Sequence, residues 1–96
     1  MNSLAGKVAV ITGGSRGIGR GIAEAFLNEG ANVVINGRSL EKGSATLAEL
    51  NVGERAHFVA GDVKVRKDVE RIIDEALSRY GRVDILVNNE IGRAHV

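Results

Sequence analysis

At 96 residues the chain is one domain at most, small for a protein that must hold both a cofactor and a substrate. A composition of 44% hydrophobic and 26% charged residues is that of an ordinary globular protein, and a net charge of +1 gives no electrostatic reason to expect nucleic acid or an anionic membrane as partner. The lack of cysteine excludes disulfides and thiolate metal sites, no run approaches the roughly 20 apolar residues of a membrane span, and the opening MNSLAGK has no signal-peptide core, so a cytoplasmic location is expected.

Lys7 to Thr12 (KVAVIT) is a short β-branched run between glycines, the pattern of a strand covered on both faces. From Gly17 the spacing changes to fours at Ile18, Ile22 and Phe26, and Gly30 marks a helix stop. Asn32 to Asn36 (NVVIN) is a second strand. Ser39 is placed to cap a helix carrying Leu40, Leu47 and Leu50, although Gly43 inside it costs up to ~1 kcal/mol relative to Ala. Ala56 to Ala60 (AHFVA) is a third strand, ending at Gly61-Asp62-Val63. Val69, Ile72, Ile73, Ala76, Leu77 and Tyr80 form the apolar stripe of a third helix stopped by Gly81, and Val83 to Val87 (VDILV) is the fourth strand. The order βαβαβαβ with short connections predicts an α/β fold, a truncated Rossmann-type doubly wound parallel sheet of four strands occupying residues 1–89.

The chemistry concentrates in the first strand-to-helix turn, Ile11 to Gly19 (ITGGSRGIG), with glycines at 13, 17 and 19. Such a loop turns tightly and lets backbone approach a pyrophosphate, while the following helix start offers unpaired N–H donors and a positive dipole end. Selection of NAD usually relies on an Asp or Glu at the end of the second strand, where it binds the ribose 2′-hydroxyl. That place here reads Asn36-Gly37-Arg38, with no carboxylate to repel a 2′-phosphate. Arg38 can pair with such a phosphate and Arg16 can close on it from the Gly loop, so NADP is expected in preference to NAD.

Thr12-Gly13-x-x-x-Gly17-x-Gly19, Gly61-Asp62-Val63 and Asp84-Ile85-Leu86-Val87-Asn88-Asn89 stand in the order found in the short-chain dehydrogenase/reductases, which the chain resembles from Gly6 to Asn89. Within that family it looks most like the 3-oxoacyl-carrier-protein reductase and glucose dehydrogenase type. The resemblance implies that Gly13, Ser15, Arg16, Gly17, Ile18 and Gly19 surround the pyrophosphate and adenosine ribose. It implies further that Asp62 accepts from the adenine amino group, that Val63 lies beside the ring, and that Asn88 and Asn89 lie against the adenosine-side ribose. Each of the last has a structural alternative: Asp62 as a cap of its own loop, the Asn pair as ties between strand ends.

The family's proton transfer needs a Tyr, a Lys four residues later and a Ser. The one tyrosine, Tyr80, is followed four places on by Asp84 and completes the third helix's stripe, so no catalytic residue is expected within the 96 residues. His57 and His95 have no second metal ligand at sensible spacing. The resulting expectation is the N-terminal cofactor-binding part of a homo-oligomeric oxidoreductase that moves hydride between NADP(H) and a small carbonyl or alcohol. A nucleotide-binding module without catalysis and a non-functional truncated product are the alternatives.

Where the family continues Asn-Asn-Ala-Gly, the chain has Glu90-Ile91, with Gly92 two places late. Glu90 to Val96 back-translate as GAG ATC GGA AGA GCA CAC GTC, the run of a common short-read sequencing adaptor. Residues 90–96 are therefore expected to be a translated, non-family tail without chemistry; other codons in the nucleotide record would rule that out.

Overall fold

In the computed structural model, which describes residues 3–89, the chain alternates strand and helix throughout. Its elements are β1 (Val8–Thr12), α1 (Gly17–Asn28), β2 (Asn32–Gly37), α2 (Leu40–Leu50), a 3₁₀ turn (Gly53–Arg55), β3 (Ala56–Ala60), α3 (Arg66–Tyr80) and β4 (Ile85–Asn88). All strand pairs are parallel, in the order β3-β2-β1-β4. The chain thus winds outward from β1 to β3 and returns to the other side of β1, the doubly wound arrangement that the alternation implies. The expected tail, Glu90–Val96, lies outside the described residues.

Strands buried on both faces account for the unbroken apolar runs. Ala9, Ile11, Val33, Ile35, Ala56 and Phe58 face α1 and α2, joining Ala23 and Leu27. Val10, Val34 and Val59 face α3 at Ile72 and Ala76. Gly43, a liability by helix propensity, belongs to this packing, because a Cβ there would run into the Phe58 ring. Gly43→Ala is accordingly expected to lower stability by about 1–3 kcal/mol through overpacking, instead of raising it by the ~1 kcal/mol that propensity alone dictates. Chemical denaturation of the two proteins checks the sign.

One expectation needs correction. The fourth strand runs Ile85–Asn88 instead of Val83 to Val87, because Asp84 acts as its anchor. The Asp84 N–H donates to the Val8 carbonyl at 2.9 Å, and its Oδ2 accepts the Val8 N–H at 2.9 Å. Arg82 grips the same carboxylate at 2.7 and 2.8 Å, and with the Val8 N–H holds its pKa below the usual carboxylate value. The α3 stripe forms the helix expected of it, stopped at Gly81, with Ile72 and Ala76 buried and Val69 and Leu77 exposed. Leu86 on β4 is 60% exposed as well, since among the described residues no element covers that flank of the sheet.

Candidate functional site

The C-terminal ends of β1 and β4 lie side by side at the point where the winding reverses, the usual ligand crevice of an open α/β sheet. Gly13 and Gly17 have φ of 66° and 62°, which side-chain-bearing residues rarely adopt, so this turn requires glycine at both. Gly19 is buried at the start of α1, where a Cβ would overlap the Gly13 carbonyl. Arg16, at the N-cap of α1, makes no side-chain cap, and the first turn contains no acid. The opening N–H groups of α1 are thus left without the internal partner that a Ser, Asp or Asn would provide.

Three hydrogen bonds fix the loop from outside. The Gly14 N–H donates to the Asn36 carbonyl at 3.1 Å, the buried Thr46 hydroxyl to the Ser15 carbonyl at 2.8 Å, and the Asn89 amide to the Gly13 carbonyl at 3.3 Å. A loop set in advance loses little freedom when a ligand arrives. Asn36 is itself buried and donates to the carbonyls of Val59 and Gly61 at 3.0 and 3.1 Å, tying the end of β2 to that of β3.

Over the loop lies a cleft of about 390 Å³ lined by Gly13, Ser15, Arg16, Gly17 and Asn89, and on its other wall by Gly37, Arg38, Ser39 and Lys42. It brings together six of the residues singled out by sequence: Gly13, Ser15, Arg16, Gly17, Arg38 and Asn89. Among the described residues no carboxylate lines it. Ile18 is not part of that lining and is 77% exposed. Val63 and Asn88 line a separate, mainly apolar hollow of about 370 Å³ with Val10, Thr12 and Ile72 on the α3 side. The neighbouring pairs Thr12-Gly13 and Asn88-Asn89 divide the hollow from the cleft.

Asp62 lines neither cavity. Its Oδ1 accepts the Lys64 N–H at 2.9 Å and its N–H donates to Asp68 Oδ2 at 2.8 Å, the geometry of a loop cap. Asn88 Oδ1 accepts from the Thr12 hydroxyl at 3.1 Å, so both asparagines tie β4 to β1. Tyr80 lies at the opposite edge of the sheet, where its hydroxyl donates to the Glu54 carbonyl at 2.7 Å and partial burial raises its pKa. His57 pairs with Glu75 at 2.9 Å; His95 lies outside the described residues, among which no cluster could hold a metal ion. No helix among them is long and apolar enough to cross a membrane.

Sequence reasoning missed Lys42 and Thr46. Lys42 follows Arg38 by four residues, one helical turn, and that spacing was the available signal. Thr46 follows Lys42 by a further four, on the same helix face.

A profile of the short chain dehydrogenases matches residues 7–92. The chain belongs to the short-chain dehydrogenase family. It is 49% identical over 86 residues to a sorbitol dehydrogenase of Cereibacter sphaeroides, an alignment covering 90% of this chain and 33% of that protein. A 3-ketoacyl-(acyl-carrier-protein) reductase from Brucella melitensis, solved with NADH, superposes with a TM-score of 0.81 at 43% identity, covering 88% of this chain and 34% of the other. The C-domain of a bacterial malonyl-CoA reductase, solved with NADP, gives 0.90 at 28% identity, covering 98% and 16%. The chain therefore spans about a third of the curated relative and of the ketoacyl reductase, and of these two solved neighbours one holds NADH and the other NADP.

Proposed function

We propose that residues 3–89 form the NADP-binding part of a longer oxidoreductase that moves hydride between the nicotinamide and a small carbonyl or alcohol. The observation that carries this reading is the cleft over the Gly loop, which Arg16, Arg38 and Lys42 line and, among the described residues, no carboxylate does. Among the described residues none of the three side chains has an ion-pair partner. The donor set fits a dinucleotide carrying an extra phosphate: free N–H groups of α1 for the pyrophosphate, guanidinium groups for the 2′-phosphate. Val63 in its apolar hollow is suited to an adenine ring, with Asp62 beside it able to take the amino group on its second oxygen.

When bound, the cofactor supplies or accepts the hydride. The residues of this chain hold its adenosine half and fix the Gly loop, while Tyr80, bound to a backbone carbonyl at the far edge of the sheet, takes no part. Proton transfer to the substrate is assigned to residues of the longer protein, as are its subunit contacts. The full-length protein, assayed with each cofactor, should show a kcat/KM for NADP(H) at least about tenfold above that for NAD(H), as one charge-assisted contact supports. Equal use of both would sink the cofactor assignment, and an absence of any turnover with carbonyl or alcohol substrates would favour a binding module.

A further inference from the structure

The first turn of α2 breaks a local rule. Ser39 is the N-cap, its Oγ accepting the Lys42 N–H at 3.2 Å, which places Lys42 at the third helical position. After a Ser cap that position favours Glu or Gln, whose side chain returns to the N-cap N–H, and the positive end of the helix dipole favours a negative charge there. Lysine offers neither. Its side chain instead reaches the cleft shared with Arg16 and Arg38, and among the described residues it meets no carboxylate. Glu41, the acid of the same turn, is next to it in sequence and so faces away, outside the cleft lining. Arg20, by contrast, is paired with both Glu24 and Glu49. Three cations held together, one of them against a helix dipole, leave the cleft electrostatically unfavourable until an anion enters, and departures of this kind from local consistency concentrate where a protein binds.

Resting on the NADP reading above, we propose that Lys42 is a specificity-determining residue, its ammonium binding the 2′-phosphate together with Arg38 at the expense of α2 stability in the ligand-free protein. Arg38 stands just before the cap and Lys42 one turn after it, so the two approach the same wall of the cleft from successive turns. Arginine supplies the oriented fork and lysine a mobile point charge.

The test uses the full-length protein as wild type, Lys42→Gln, Lys42→Arg and Arg38→Gln. Each is titrated calorimetrically with 2′,5′-ADP and with 5′-AMP, and melted without ligand. Lys42→Gln should weaken 2′,5′-ADP binding about tenfold, as loss of a charged contact does, while 5′-AMP binding stays constant. It should also melt at or above the wild-type temperature, because Gln completes the capping box. Lys42→Arg should keep the preference. If Lys42→Gln weakens both probes equally, weakens neither, or melts well below wild type, Lys42 has no such role. In that case a lost preference in Arg38→Gln leaves the reading of the cleft intact. A wild-type protein that does not distinguish the two probes overturns both.

Discussion

Arg38→Asp is expected to reverse cofactor preference in the full-length protein, from NADP(H) to NAD(H). The substitution removes a charge-assisted contact from the cleft wall and puts a carboxylate where the 2′-phosphate would lie. Together these changes weaken NADP(H) by about 2 kcal/mol or more, roughly thirtyfold. The same carboxylate can accept from a free ribose 2′-hydroxyl, so NAD(H) binding should hold or improve. The ratio of kcat/KM for the two cofactors, measured at constant ionic strength because exposed charges are screened by salt, is the readout. An unchanged ratio would mean that the 2′-position does not meet this wall.

The reversal should be incomplete, since Arg16 and Lys42 still favour a phosphate. Adding Lys42→Gln should extend it. Two substitutions four residues apart on one phosphate are close enough to couple, so their effects need not add.

That cleft was only partly legible in the sequence. The Gly loop and Arg38 could be placed because their positions follow from chain-local geometry: a turn directly after β1 and the residue directly after β2. Lys42 was signalled only by its four-residue spacing from Arg38, and Thr46 enters through its hydroxyl's bond to the Ser15 carbonyl, a tertiary contact that no local pattern encodes. Gly43 itself illustrates the difficulty, since propensity reads it as a weakness and packing makes it the contact. At the level of fold the opposite held. Apolar runs bounded by glycines located β1, β2 and β3 to within a residue or so, because strands buried on both faces leave no ambiguity of period. The end of the sheet was misplaced where a side chain, the Asp84 carboxylate, took over a backbone role that sequence periodicity does not register. The α3 stripe located its helix, although periodicity shows which face is apolar and not whether anything covers it.

That uncovered flank has the largest expected effect. β4 is paired with β1 on one side only, and among the described residues its outer edge meets no strand. Parallel sheets are normally covered on both faces, and an open apolar edge is a template for pairing with another chain. Here the edge carries Leu86, 60% exposed, with Val69 and Leu77 uncovered on the adjacent helix. The 96-residue polypeptide, produced alone, is therefore expected to self-associate with rising concentration and to oxidise no NADPH with any carbonyl substrate. Leu86→Lys should shift it toward monomer, because a charge on an edge strand opposes edge-to-edge pairing. Sedimentation velocity over a range of concentrations, with and without Leu86→Lys, reads the association, and single-turnover absorbance of NADPH reads the chemistry. A cooperatively melting monomer that reduces a carbonyl would show that the edge is no liability and that residues described here perform the proton transfer assigned above to the longer protein.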